Sequence, residues 1–369
     1  MTRRTQGKIR KKEADFMLLF ATMTLLAIGI VMVFSASYYV LRERDPYYHL
    51  RRQVMWACLG LVGMLFFSNF DYWKLKRWTN LLLLVSLILL VAVFIPGVGV
   101  EILGARRWIG IGDLTLQPSD MAKMSLVLFA AAYLSRKDIR IEKLAEGALP
   151  VLVILGVFFA LIIKQPDLGT AMTLAGAIML IIFAAGMPLQ HIIFLGLAAV
   201  PLLIYLISSE EYRLRRWLSF LDPWADPLDT GYQIIQSLYA IGPGGLFGVG
   251  LGHGRQKMHF LPEPHSDFIF AVIGEELGFI GCVTVIIIFF LLFWRGFKIA
   301  LTAPDAYGSL LATGIVSMIA LQTLINIGVV TGSIPVTGIN LPLISSGGSS
   351  LVFTMCSIGI LLNISKYTR

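Results

Sequence analysis

Of the ionisable residues inside or at the mouths of long apolar runs, five matter most: Asp120, Lys123, Asp267, Glu275 and Glu276. Charge in such runs is costly, so each is a candidate for function. Asp267 follows Pro264-His265-Ser266, where a helix is expected to begin with Ser266 as its cap. A carboxylate in a first helical turn is favoured by the helix dipole and should stay ionised. An ionised aspartate at a helix mouth suits general-base chemistry, the removal of a proton from a hydroxyl; the plainer reading is a helix-start acid. Asp120 and Lys123, three residues apart, can form one intrahelical pair. That pair either neutralises itself or aims a cation into the protein.

Glu275 lies eight residues past Asp267, which on a helix is about 12 Å along the axis and about 80° around it. Paired carboxylates of glycosidases stand about 5–9.5 Å apart, so this pair is too distant for that chemistry. Glu276 points away from Asp267, and each glutamate reads as a buried acid with a helix partner. His265, Ser266 and Asp267 are consecutive and point in different directions, so they form no hydrolase triad. His253 and His259 lack a metal-ligand spacing on one helix face.

These residues are embedded in a chain of 369 residues that is 57% hydrophobic and 14% charged. A bilayer core of about 30 Å needs about 20 apolar residues per helix, and a backbone in lipid must close its own hydrogen bonds. The apolar runs therefore predict an all-α, polytopic membrane helical bundle. About ten helices are expected, near 16–40, 53–70, 79–97, 118–135, 148–164, 169–187, 190–208, 266–295, 307–330 and 347–364. Residues 1–15 read as a basic head (Arg3, Arg4, Lys8, Arg10, Lys11, Lys12), 16–364 as one transmembrane domain and 365–369 as a tail. The first run is too long, and lacks a small-residue cleavage site, to be a signal peptide. More Lys and Arg lie on the N-terminal side of the spans than opposite, which predicts cytoplasmic termini. Cys58, Cys282 and Cys356 all sit in apolar runs, so the loops carry no disulfide framework.

One connection, 209–265 between helices 7 and 8, is long, polar and predicted to be extracellular. Loops of that length in a compact protein are usually functional. Its stretch 231–241 is amphipathic and predicts a short helix lying on the membrane surface. Its Gly-rich stretch 242–254 predicts tight turns but lacks a Walker lysine, so it is not read as a nucleotide loop. The outer segments also carry many cations, suited to an anionic partner such as a diphosphate.

Eight motifs together resemble the SEDS family (shape, elongation, division and sporulation). They are GARRWIGIG (104–112), LQPSDMAK (116–123), QPDLGT (165–170), YRLRRW (212–217), DPWADPLDTGYQIIQS (222–237), GPGGLFGVGLG (242–252), LPEPHSDFIFAVIGEELG (261–278) and LPLISSGGSS (341–350). The likeness covers nearly the whole chain, and PWADP and GPGGLFG are most similar to the FtsW and SpoVE branch. Asp120 stands where the family commonly has Glu, Ser266 where Thr is common, and Ser346 in place of a usual Tyr before Gly347-Gly348.

The resemblance implies a peptidoglycan glycosyltransferase that polymerises lipid II on the outer face of the bacterial cytoplasmic membrane, in division or sporulation. An acceptor hydroxyl attacks the anomeric carbon of the donor, which inverts, and undecaprenyl diphosphate leaves. It implies Asp267 as the catalytic residue and Arg107, Lys123, Arg213, Arg215 and Arg216 as substrate-binding cations. A divalent cation, Mg or Mn, is compatible with the family, with no protein ligand set to name. Implied partners are lipid II, the growing glycan strand, a class B penicillin-binding protein and other divisome or sporulation proteins. Two other readings compete: a lipid II flippase, and a scaffold without enzymatic activity. A flippase needs polar residues through the full membrane depth, whereas most candidates here lie at outer loops and helix ends.

Overall fold

The apolar runs fold into helices whose ends are marked by cap residues. In a computed structural model, described for residues 12–43, 45–102, 104–111 and 114–368, α1 (Phe16–Tyr38) starts at Asp15, whose Oδ1 accepts from Leu18 N at 2.9 Å. Asp167 caps α6 (Leu168–Ala184) and Asp305 caps α11 (Ala306–Val330) in the same way, each satisfying an N–H that the helix leaves open. Of the expected head and loop cations, Arg3, Arg4, Lys8, Arg10, Lys11, Arg44 and Arg369 lie outside the described residues.

The remaining long helices are α2 (Tyr48–Asn69), α3 (Tyr72–Ala92), α4 (Pro118–Leu134), α5 (Leu149–Lys164), α7 (Leu189–Ser208), α10 (Ile269–Thr302) and α12 (Ser349–Ser365). Two short helices, α8 (Glu211–Leu221) and α9 (Tyr232–Ile241), lie in the long connection. Among the described residues, six helices are long and apolar enough to cross a membrane. Four more, α4, α5, α6 and α12, have 16 or 17 residues and complete the set of ten. The two ends of the described chain meet: Lys12 N donates to Lys366 O at 2.8 Å and Asp15 N to Ser365 Oγ at 3.0 Å. An even number of crossings puts both on one side. We call that side the terminal face and the other the loop face.

Packing at the centre relies on small residues. A Cβ on Gly60 would lie 2.5 Å from Met355 Sδ, and one on Gly359 would lie 2.5 Å from Met64 O. These glycines let α2 and α12 approach closely, the usual solution where lipid offers no hydrophobic drive between helices.

Four local features differ from the sequence reading. Helix 3 covers 72–92 rather than 79–97, because Lys74 and Lys76 reach back to Asp71 (3.6 Å) and Ser135 (3.2 Å) at the terminal face. Residues 99–116, for which no element was expected, form an antiparallel sheet of β1 (Gly99–Ile102), β2 (Ala105–Ile111) and β3 (Leu114–Leu116). Helix α9 forms where expected but docks one face into the protein: Ile234, Ile235 and Ala240 are buried against α10 and α11, Ser237 Oγ donates to Val330 O at 2.7 Å, and Leu238 and Tyr239 stay exposed.

The fourth difference is at helix 8 of the sequence reading. It begins at Ile269, not 266, with no side-chain cap, and it is broken at Gly278 (φ 66, ψ −163). A side chain there would meet backbone, since a Cβ would lie 2.3 Å from Gly248 N. The groups freed by the break are taken by the Gly-rich stretch. Val249 N and Gly250 N donate to Glu275 O and Glu276 O, while Phe279 N and Ile280 N donate to Gly245 O and Leu246 O. Irregular backbone at membrane level is tolerated when protein satisfies it in this way. The result is a half-helix, 269–277, mounted on the loop face.

Candidate functional site

Asp267 lies two residues ahead of the half-helix, in a turn closed by Ser266 N and Phe268 N, which donate to Glu263 O at 3.1 and 3.4 Å. The segment after α11 cradles this turn. Ser345 Oγ donates to Ser266 O at 2.6 Å, and Ser346 N donates to His265 O at 2.9 Å. Asn326, about one turn from the end of α11, donates through Nδ2 to Asp267 O (2.8 Å) and Ile339 O (2.7 Å). The Asp267 main chain is thus fixed from two sides. Its carboxylate is not: among the described residues no side chain or N–H donates a hydrogen bond to it. Gly338 passes beside it, where a Cβ would stand 3.4 Å from Oδ2, so the cradle leaves that face open.

Charge surrounds the carboxylate without touching it. Arg107 on β2 and Arg216 on α8 lie within electrostatic range, as do the anionic Asp167 and Glu263. Partial burial, then Glu263, outweighs the two arginines and pushes the Asp267 pKa up to about 6. The acid still ionises below neutral pH, as expected, but without the help of the helix dipole. The cause is position: Asp267 precedes the first helical turn, so the helix N–H groups do not reach it.

Arg107 is held in place by Nε donation to Gln165 O at 2.9 Å, a second bond to Pro166 O, and Asp167 Oδ2 at 3.9 Å. Arg216 is more accessible, with one long bond from its guanidinium to Val336 O at 3.4 Å. The other expected cations lie elsewhere. Lys123 is buried in the bundle, with Nζ 2.9 Å from Asp120 Oδ1, and Asp120 Oδ2 accepts from Ser349 Oγ at 2.9 Å. Arg213 is buried and donates to Leu206 O (2.9 Å), Ile163 O (3.4 Å) and the Tyr212 hydroxyl (2.9 Å), which tie α8 to α7 and α5. Arg215 is exposed and pairs with Glu211 at 2.6 Å. The structure therefore brings Arg107 and Arg216 to Asp267 and places Lys123, Arg213 and Arg215 away from it.

Glu275 and Glu276 have the partners expected of structural acids, although these come from the loop and α1. Glu275 accepts from Arg255 N and Gln256 N, at 2.5 and 3.1 Å. Glu276, fully buried, takes Lys257 Nζ at 2.5 Å, Ser35 Oγ at 2.7 Å and Gly252 N at 3.1 Å. Two contributors to the site were not singled out from sequence: Asp167, which holds Arg107, and Asn326, which holds Asp267. The motif QPDLGT contained the signal for the first. An asparagine inside the apolar run 306–330 was the signal for the second, since an intramembrane amide needs partners.

A carboxylate with a pKa near 6 and a free face can accept a proton from a weakly acidic hydroxyl. Two guanidinium groups beside it can stabilise negative charge developing on a leaving group. Among the described residues no three His, Cys, Asp or Glu side chains come together as a metal site.

The family model for cell cycle proteins of the FtsW, RodA and SpoVE type matches residues 16–369. Stage V sporulation protein E of Bacillus subtilis (strain 168) is 48% identical over 362 residues, 98% of this chain and 99% of its own. The probable peptidoglycan glycosyltransferase FtsW of Trichlorobacter lovleyi is 46% identical over 358 residues, covering 96% of this chain and 94% of its own. Among solved structures, a chain from work on structural coordination of polymerization and crosslinking by a peptidoglycan synthase complex superposes with a TM-score of 0.79. It is 33% identical and covers 95% of this chain and 97% of that one.

Proposed function

This chain belongs to the FtsW, RodA and SpoVE family of cell cycle proteins and is a multi-pass membrane peptidoglycan glycosyltransferase, and we propose that Asp267 is its general base. The loop face is then the outer face of the cytoplasmic membrane, with both termini cytoplasmic. The observation that carries the proposal is the open, unbonded carboxylate of Asp267 in a turn whose backbone is held by Asn326, Ser345 and Glu263, with Arg107 and Arg216 at its side.

The chemistry follows from these groups. The donor is lipid II, whose lipid tail keeps its sugar at the level of the half-helix. Asp267 takes the proton of the acceptor sugar's hydroxyl as that oxygen bonds to the donor's anomeric carbon. The bond from that carbon to the diphosphate breaks, and Arg107 and Arg216 stabilise the departing anion. A divalent cation, Mg or Mn, would enter with the diphosphate and help neutralise its charge. Lys123, Arg213 and Arg215 act at a distance in this reading. Lys123 keeps Asp120 and the start of α12 together, Arg213 anchors α8, and Arg215 faces solvent. A class B penicillin-binding protein that cross-links the new strands fits an enzyme of this kind, and the septum of a dividing or sporulating cell is the corresponding place.

The test is labelled lipid II presented to the purified protein in vesicles. Glycan strands from the wild type and none from Asp267→Asn is the expected result. Strands from both would remove Asp267 from the chemistry. Movement of lipid II across the bilayer without strands would favour the transporter reading.

A further inference from the structure

Glu263 has a place in the reaction that its sequence position does not advertise. It lies four residues before Asp267, and its carbonyl closes the turn that carries Asp267 by accepting from both Ser266 N and Phe268 N. Its backbone is left-handed, with φ 47. That conformation is uncommon for a side chain other than Gly, Asn or Asp, and persists where the surroundings impose it, often at functional sites. Pro166 (φ 26), His259 (φ 67) and Leu343 (φ 65) also have positive φ.

The side chain is held as well. Glu263 Oε2 accepts from Ser266 Oγ at 3.2 Å and stands 3.7 Å from His265 Nε2. His265 packs against His49 of α2 with its ring tilted by 44° and the centroids 4.1 Å apart. Burial pushes the His265 pKa down to about 4, so at neutral pH the imidazole brings no charge to Glu263. His49 is also within electrostatic range of Glu263 and of Arg52. The groups facing Asp267 are Arg107 from β2, Arg216 from α8, Asp167 from the head of α6 and Glu263 from its own turn. Of the two anions in that set, Glu263 reaches water more freely, with 42% of its side chain exposed against 4% for Asp167.

We propose that Glu263 is the outer member of a two-carboxylate unit with Asp267: its charge strengthens the base, and its exposed position passes the abstracted proton to water. This inference rests on the assignment of Asp267 as base. The steps balance. The acceptor O–H bond breaks as its oxygen bonds to the anomeric carbon, the proton goes to Asp267, and it leaves through Glu263 to bulk water, restoring both carboxylates. Glu263 is a positioning residue in this account and does not touch the sugar.

The experiment is the pH dependence of glycan polymerisation by the full chain in vesicles of defined lipid, with lipid II, for wild type, Glu263→Gln, Glu263→Asp and Asp267→Asn. The wild type is expected to lose activity on the acid side with a midpoint near pH 6. Removing a neighbouring negative charge lowers the proton affinity of Asp267, so Glu263→Gln should move that midpoint down by about half a pH unit or more and slow the plateau rate several-fold. Glu263→Asp keeps the charge and should keep the midpoint. A slower Glu263→Gln with an unmoved midpoint would mean a structural role only and overturn this inference. An unchanged rate and midpoint would overturn it too, and both outcomes leave Asp267 as base. No acid limb in the wild type, or strands from Asp267→Asn, would overturn the Asp267 assignment and this inference with it.

Discussion

The two ends of one half-helix use carboxylates in opposite ways. At the Gly278 end, Glu275 and Glu276 are buried and filled with donors: three backbone N–H groups, a serine hydroxyl and a lysine. At the Ile269 end, Asp267 has a backbone pinned by Asn326 and a carboxylate that accepts nothing among the described residues. A buried acid whose oxygens are all taken is holding structure, because its reaction with a proton or substrate would break those bonds. An acid whose main chain is fixed while its oxygens stay free is prepared for a ligand. The same contrast separates the cations. Arg213 and Lys123 are committed to carbonyls and a carboxylate, whereas Arg216 makes one long bond.

The comparison predicts different failures at the two ends. Breaking the Lys257–Glu276 pair from one side, by Glu276→Gln or Lys257→Met, leaves a buried charge unmatched. That should cost about 3–5 kcal/mol, seen as a large drop in melting temperature in detergent. The double variant should recover much of that loss, and a double variant no better than either single one would break the comparison. Next in size is Arg216→Ala, which should slow strand synthesis about 100-fold with little change in melting temperature. Smallest is Arg215→Ala, an exposed pair whose removal should leave both melting temperature and rate near wild type. If Arg215→Ala were as damaging as Arg216→Ala, the division of α8 into a working and an idle face would be wrong.

Much of this arrangement was legible in the sequence. The ten helices follow from apolar length, and motif-bearing Asp267 stood out because a charge at a membrane mouth needs a reason. The Asp120–Lys123 pair followed from three-residue spacing alone. What was not legible depends on contacts between distant segments. The break at Gly278 is invisible in an apolar run, because it exists only where residues 245–250 come alongside to take up its backbone groups. The start of α10 moved past Asp267 because Glu263 O, rather than a helix, captures Ser266 N and Phe268 N. The sheet 99–116 is short and lies between stronger helical signals, so its Gly104 turn (φ 74) was the cue it offered. Five arginines and lysines looked alike as motif members. Only their partners in space separate Arg107 and Arg216 from the rest.

The central claim is that Asp267 is kept for chemistry at a cost to the fold. Its pKa near 6 lies above the ordinary aspartate value, so the folded state favours the protonated acid. Stability from that preference is present at low pH and is lost as pH rises through about 6. At pH 7.5 the ionised group therefore destabilises the protein, on the order of 1–3 kcal/mol. The most direct measurement pairs melting temperature with polymerisation rate for Asp267→Asn at pH 7.5. The account predicts a melting temperature equal to or above wild type and a rate lower by about 100-fold or more. A variant that melts lower and loses activity only in proportion to its folded fraction would contradict it.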